Sequence, residues 1–250
     1  MSLCVAAALS GCSAATPATK PPSATTASTT DAAASTADDA LTVTGDHPVL
    51  PNGSQDTHAQ TPQTACDSST ATTDEALGAR VADGFALAGF PVSAALLRHF
   101  LKGTGTAVGY PAGSPISKKA LASTAFRTVD SEVKEAVLGQ LKAGRTRVRL
   151  SVAQLPTVAF ESQTSDLYWG FRGTQGLTVT GSIRHEGGRY AGTLTYVIRD
   201  SYGFPASDTL DGFGPPMRYL QTVCGAPQHV GGARWFPDTI TVTVPFSESA

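Results

Sequence analysis

Three side chains in the second half of the chain have the types needed for general acid–base work: Asp166, Asp200 and His185. Asp166 opens the aromatic run Asp166-Leu167-Tyr168-Trp169. Asp200 closes a long alternating segment on its apolar parity, and His185 lies near the turn of that same segment. Two carboxylates and a histidine could exchange protons with a polymer substrate if the fold gathers them within hydrogen-bond reach. Asp208 and Asp211 follow in a Gly/Pro-rich stretch. The competing reading is structural, because Asp is a common residue at chain turns and element starts. A second set, Tyr219, Trp235 and Phe236, could form an exposed aromatic shelf that stacks on sugars or a partner surface. Its structural counterpart is a cover over a sheet edge. The chain carries no Gly-x-Ser-x-Gly, no phosphate-cradling glycine loop, no Cys-x-x-Cys and no His-x-x-x-His. No metal site and no cofactor are therefore expected.

Positioning these residues requires helices first and strands later. Thr72-Thr73-Asp74-Glu75 matches a capping box that would start a helix carrying Leu77, Val81, Phe85 and Ala88. A shorter helix is expected from Ser93 to Lys102, then a loop over 103–117. A long helix follows from Lys119 to Ala143, with a break near Thr128–Ser131. From Arg145 the period changes to two. Strands are expected at Val148–Val152, Val158–Phe160 and Asp166–Phe171. Gly187-Gly188 suits a two-residue primed turn. Pairing outward from it sets Leu177, Val179, Gly181 and Ile183 against Ile198, Tyr196, Leu194 and Gly192 on one apolar face. Thr178, Thr180, Ser182 and Arg184 then oppose Val197, Thr195, Thr193 and Ala191 on a wet face. A loop from Ser201 to Asp238, with a helical turn or two at Met217–Val223, leads to a last strand, Thr239–Phe246. The expected class is α+β: N-terminal helices packed on a mostly antiparallel sheet, in one domain over 74–250.

The first quarter has a different composition. Of the 61 residues from Ser13 to Thr73, 41 are Ser, Thr, Ala or Pro, and only Leu41, Val43, Val49 and Leu50 supply aliphatic bulk. Such a segment buries too little apolar surface to offset its conformational entropy, so a disordered tether is expected over residues 12–73. Just before it, Leu9-Ser10-Gly11-Cys12 ends a short apolar stretch. This tetrapeptide resembles the lipobox of bacterial lipoproteins. The resemblance implies a signal peptide over residues 1–11, a lipid on Cys12 and a chain anchored on the extracytoplasmic face of the cell membrane. No Lys or Arg precedes Cys12, so a longer, truncated signal with a basic start is expected. One Asn, four Ile and six Lys against twelve Arg fit a high-GC Gram-positive bacterium.

The lipobox also sorts the four cysteines. Cys4 would leave with the signal and Cys12 would carry lipid. Cys66 and Cys224 remain, and an exported pair reads as a disulfide. A further resemblance joins Asp166-Leu167-Tyr168-Trp169 and the run Tyr196–Phe204 to segments of secreted bacterial proteins of unknown function. It spans roughly residues 160–240 and implies one intact domain, with no activity attached.

Charge is divided as composition is. Residues 1–79 carry one Lys and eight acids, whereas residues 80–250 carry 17 Lys and Arg against 12 acids, a net +5. That is mildly basic and does not point to nucleic acid, which calls for clustered cations on one face. Arg145, Arg147 and Arg149 come nearest, and their alternation places them on the wet side of a strand. Together these features predict a membrane-anchored lipoprotein presenting a small binding or scaffold domain, non-enzymatic, to a cell-wall or protein partner in the cell envelope. The alternatives are a cell-envelope hydrolase using Asp166, Asp200 or His185, and a secreted effector-type domain.

Overall fold

Asp67, not Thr72, starts the first helix. Its carboxylate accepts the Ser69 amide at 3.0 Å and the Thr70 hydroxyl at 2.7 Å, which satisfies donors that a helix N-terminus leaves unpaired. Thr72 and Thr73 lie inside the helix and return their hydroxyls to the carbonyls of Ser68 and Ser69. The computed structural model describes residues 40–41, 65–142, 147–152, 158–160, 162–172, 174–204, 212–225 and 232–250.

Two helices open the domain: α1 (Ser68–Leu87) and α2 (Pro91–Leu101). Pro91 supplies a pre-set φ at the first helical position, so α2 begins two residues before the expected Ser93. Gly78 lets α1 approach its neighbours closely. A Cβ there would sit 3.0 Å from Leu101 and 3.1 Å from the Met217 sulfur.

The loop expected over 103–117 contains a short strand, and β-type pairing over three residues leaves no periodicity to read. The long helix expected from Lys119 to Ala143 is two helices, α3 (Pro115–Ala122) and α4 (Thr124–Lys142). They part at Ser123, not near residues 128–131. The Ser123 hydroxyl donates to the Ala120 carbonyl at 2.7 Å and accepts the Phe126 amide at 3.2 Å, closing one helix and capping the next. Asp130, in the expected break, stays helical because its carboxylate takes the Tyr196 hydroxyl at 2.7 Å and Lys134 at 2.7 Å.

The strands are β1 (Ala40–Leu41), β2 (Val108–Tyr110), β3 (Arg147–Val152), β4 (Gly176–Glu186), β5 (Arg189–Tyr202) and β6 (Phe236–Ser249). They form one sheet in the order β1-β3-β4-β5-β6-β2. The four central strands are antiparallel, and the short edge strands β1 and β2 pair in parallel. The fold is therefore α+β with a mostly antiparallel sheet. Ala40–Leu41 comes from the segment expected to be a tether and pairs with Arg149–Leu150 of β3.

Every expected pair of the β4–β5 hairpin is present, from Glu186↔Arg189 to Leu177↔Ile198. Gly187 and Gly188 both have positive φ, 57° and 78°, the region a primed turn demands. Its apolar face joins β6 and the helices in one core, with Tyr196, Phe126, Phe100 and Phe171 all fully buried. The last strand runs three residues beyond the expected one at either end.

Two expected strands are not strands. Val158 and Phe160 are buried but unpaired in any ladder. Asp166–Phe171 is a short helix, α5. Ser165 caps it by accepting the Leu167 amide at 3.2 Å. Burial at Asp166, Leu167, Gly170 and Phe171 follows helical spacing. Past β5, the helix α6 (Gly214–Tyr219) runs into a five-residue π-turn, Leu220–Cys224. There Cys224 bonds to Cys66, with Cα atoms 5.0 Å apart. Tyr219 adds a second tie by accepting the Asp67 amide at 2.8 Å.

Candidate functional site

Parity along β5 and β6 builds the most unusual feature of the domain. On β5 the core-facing residues run Leu194, Tyr196, Ile198, Asp200, and on β6 they run Val242, Ile240, Asp238. The register sets Asp200 directly opposite Asp238. Two carboxyl groups thus face each other inside the apolar layer, where like charges directly opposite destabilise a sheet. Asp200 is 5% exposed and Asp238 is fully buried.

Their surroundings offer little compensation. Asp200 accepts the Ser201 amide at 2.8 Å. Neither carboxyl oxygen of Asp238 has a hydrogen-bond partner among the described residues. Burial pushes Asp200 up to about 7 despite that amide. Burial, and then the charge of Asp200, hold Asp238 well above the usual carboxylate range. The pair therefore retains a proton at neutral pH, as closely set buried carboxyls do.

Two further groups border it. β2 pairs Val108 with Asp238 and Tyr110 with Ile240, so Tyr110 sits one step along from Asp238. Burial, then the charges of Asp238 and Asp166, push its phenol up to about 12. Asp166, the first residue of α5, is fully buried. Its Oδ1 accepts the Ser93 amide and the Ser93 hydroxyl, each at 3.0 Å. Its Oδ2 takes Lys119 Nζ at 2.9 Å. Asp166 thus ties α2, α3 and α5 together, and its acceptor capacity is spent on them.

Of the three expected acid–base residues, the fold draws two toward one region and leaves out the third. Both Asp166 and Asp238, the partner of Asp200, act on Tyr110. His185 pairs with Tyr190 at the hairpin tip. Asp200 lies ten steps along β5 from Tyr190, roughly 33 Å at strand rise. A general acid or base must reach its substrate. Asp166 and Asp200 are buried and His185 stands far along the hairpin from Asp200, so the expected triad does not assemble.

The aromatic shelf does not assemble either. Phe236 is fully buried, stacked on Tyr202 at 5.4 Å with His99 edge-on at 4.5 Å. Tyr219 is engaged with Asp67. Trp235 alone is exposed, at 39%. Phe236 turns inward because it belongs to β6 on the core parity, not to the preceding loop. Cys12, Asp208 and Asp211 lie outside the described residues. Among those residues, no three His, Cys, Asp or Glu side chains could together hold a metal ion, and no helix is long and apolar enough to cross a membrane.

Sequence reasoning missed Asp238, Tyr110, Lys119 and Ser93. A signal existed for Asp238: extending the parity of Ile240 back by two residues puts it on the core face. Compared with known proteins, the chain matches no family model, no curated protein and no solved structure.

Proposed function

We propose that this chain is an exported lipoprotein, anchored through a lipid on Cys12, that presents its α+β domain as a non-enzymatic binding or scaffold module on the extracytoplasmic face. The observation that carries this reading is the Cys66–Cys224 disulfide, a bond that persists in oxidising compartments and is rare in the cytosol. It stands downstream of the lipobox-like Leu9-Ser10-Gly11-Cys12. About 27 residues separate Cys12 from β1. Burial of Asp166, Asp200 and Asp238 argues against the hydrolase alternative, because no substrate could reach those carboxyls without opening the core.

Cell fractionation tests the anchor. The natural chain is expected in the membrane fraction and accessible to protease on intact cells. A Cys12→Ser chain is expected to leave that fraction. Equal partition of both forms, or protection from protease until the cells are lysed, would remove the reading.

A further inference from the structure

The side of the sheet opposite the core holds most of the net positive charge of residues 80–250. By register its positions are Arg147 and Arg149 on β3, Thr178, Thr180, Ser182, Arg184 and Glu186 on β4, and Arg189 to Arg199 in alternation on β5. Thr239, Thr241 and Thr243 continue it on β6. Five arginines (Arg147, Arg149, Arg184, Arg189 and Arg199) share this parity with one acid, Glu186, which lies 3.7 Å from Arg184. The rest of residues 80–250 holds 12 Lys and Arg against 11 acids. Four of the five net positive charges of that region therefore lie at positions of one face. The register sets position Arg147 directly opposite Arg184.

Much of the remainder of the face is hydroxyl, beside Ala191, Val197 and Pro245, and the Ser182 hydroxyl is buried. Cross-strand rows read Ser151, Thr180, Thr195, Thr243 and Arg149, Ser182, Thr193, Pro245. Strands about 4.8 Å apart and alternate residues about 6.8 Å apart make this a regular grid. Thr180, Thr193, Thr243 and Arg184 are exposed. Among the described positions of this face there is no aromatic ring to stack a base. Its only branched aliphatic, Val197, is half-buried, which gives nothing to insert into a bilayer.

We propose that this face docks an acidic polysaccharide: arginines meet repeated carboxylates while the threonine rows meet sugar hydroxyls. The proposal rests on the binding-module reading above and names the partner class. The test is affinity electrophoresis of the full chain, in neutral detergent, through gels containing polygalacturonate or neutral dextran, at low and raised salt. Polygalacturonate is expected to retard the natural chain in a salt-sensitive way, and dextran to have no effect. Arg149→Ser with Arg184→Ser should weaken retardation by roughly tenfold, the scale of two exposed charge contacts. Thr180→Glu, which keeps every arginine, should weaken it too, while Arg80→Ser on α1 should not. Thermal melts of each variant identify any loss caused by unfolding, and Thr180→Glu keeps the test open if the double variant unfolds. Equal retardation of all variants, no retardation at all, or binding only to phosphatidylglycerol vesicles or to single-stranded RNA would each overturn the assignment. A chain that is membrane-retained through Cys12 yet ignores polygalacturonate loses only the ligand; one that is not retained loses the reading beneath it.

Discussion

Replacing Asp238 by Asn should make the domain more stable at neutral and mildly alkaline pH while leaving its stability at acid pH nearly unchanged. Asp238 is fully buried with both oxygens unpartnered among the described residues and faces Asp200 across the ladder. Tyr110 on β2 feels the charge of Asp238 as well as that of Asp166, and it supplies no cation to the pair. Both carboxyls keep their protons in the fold to higher pH than in the unfolded chain. Above the unfolded value of 3.8, the unfolded state then binds fewer protons than the native one, so stability falls as pH rises. Below that value both states are protonated and the full stability is present. For Asp200, moving from 3.8 to about 7, the loss accumulates between about pH 4 and pH 7. At about 1.4 kcal/mol per pH unit it amounts to about 4 kcal/mol. Asp238, also held well above the usual carboxylate range, adds a loss of the same sign.

Asn keeps the shape, cannot ionise, and brings an amide that can donate to Asp200. The expected gain at pH 8 is about 2–4 kcal/mol, or about 5–15 °C in Tm for a domain of this size. At pH 4 the change should stay within about 1 kcal/mol. Urea unfolding followed by the fluorescence of Trp169 and Trp235, with the disulfide intact, at pH 4, 6 and 8, measures both. A variant no more stable than the natural chain at pH 8, with an unchanged pH slope, would show that the pair is not held against its ionisation.

Three other changes have defined outcomes. Asp166→Ala strands the Ser93 amide in the core, while the Ser93 hydroxyl keeps the Asp166 carbonyl at 3.3 Å, and one unpaired buried donor of that kind should cost about 1–3 kcal/mol in the same urea assay. Tyr196→Phe removes the hydroxyl that reaches Asp130 without changing shape. A loss of about 1.5–3 kcal/mol is expected, because the acceptor is a carboxylate. Cys66→Ser with Cys224→Ser opens a link across 158 residues. The chain-entropy value for a loop of that length is about 5 kcal/mol as an upper figure, and a melt of the double variant against the oxidised chain reads it.

The hairpin was legible because three signals agreed. Alternation set the faces, Gly187-Gly188 set the turn, and a one-residue slip would have put Ile198 and Leu194 in water. The disulfide was legible once the resemblance to a lipobox had set the other two cysteines apart. Helix α5 was not, because six residues rich in β-prone aromatics show no helical repeat; only the Ser165 cap betrays it. The α3–α4 break was missed because Ser123 works through a paired donor and acceptor that spacing does not reveal. The carboxylate pair was half legible. Asp200 stood on the apolar parity, but the β-branched run from Thr239 hid the fact that the strand begins at Phe236, and with it the place of Asp238. Tyr110 and Lys119 join that region only through tertiary contacts, between elements far apart in the chain.

Mass spectrometry of the protein taken from its native membrane fraction, digested without reduction, tests the proposed export and the proposed anchoring at once. A diacylglyceryl group on Cys12 together with a peptide linking Cys66 to Cys224 is the predicted result. An unmodified Cys12 with free thiols at Cys66 and Cys224 would contradict it.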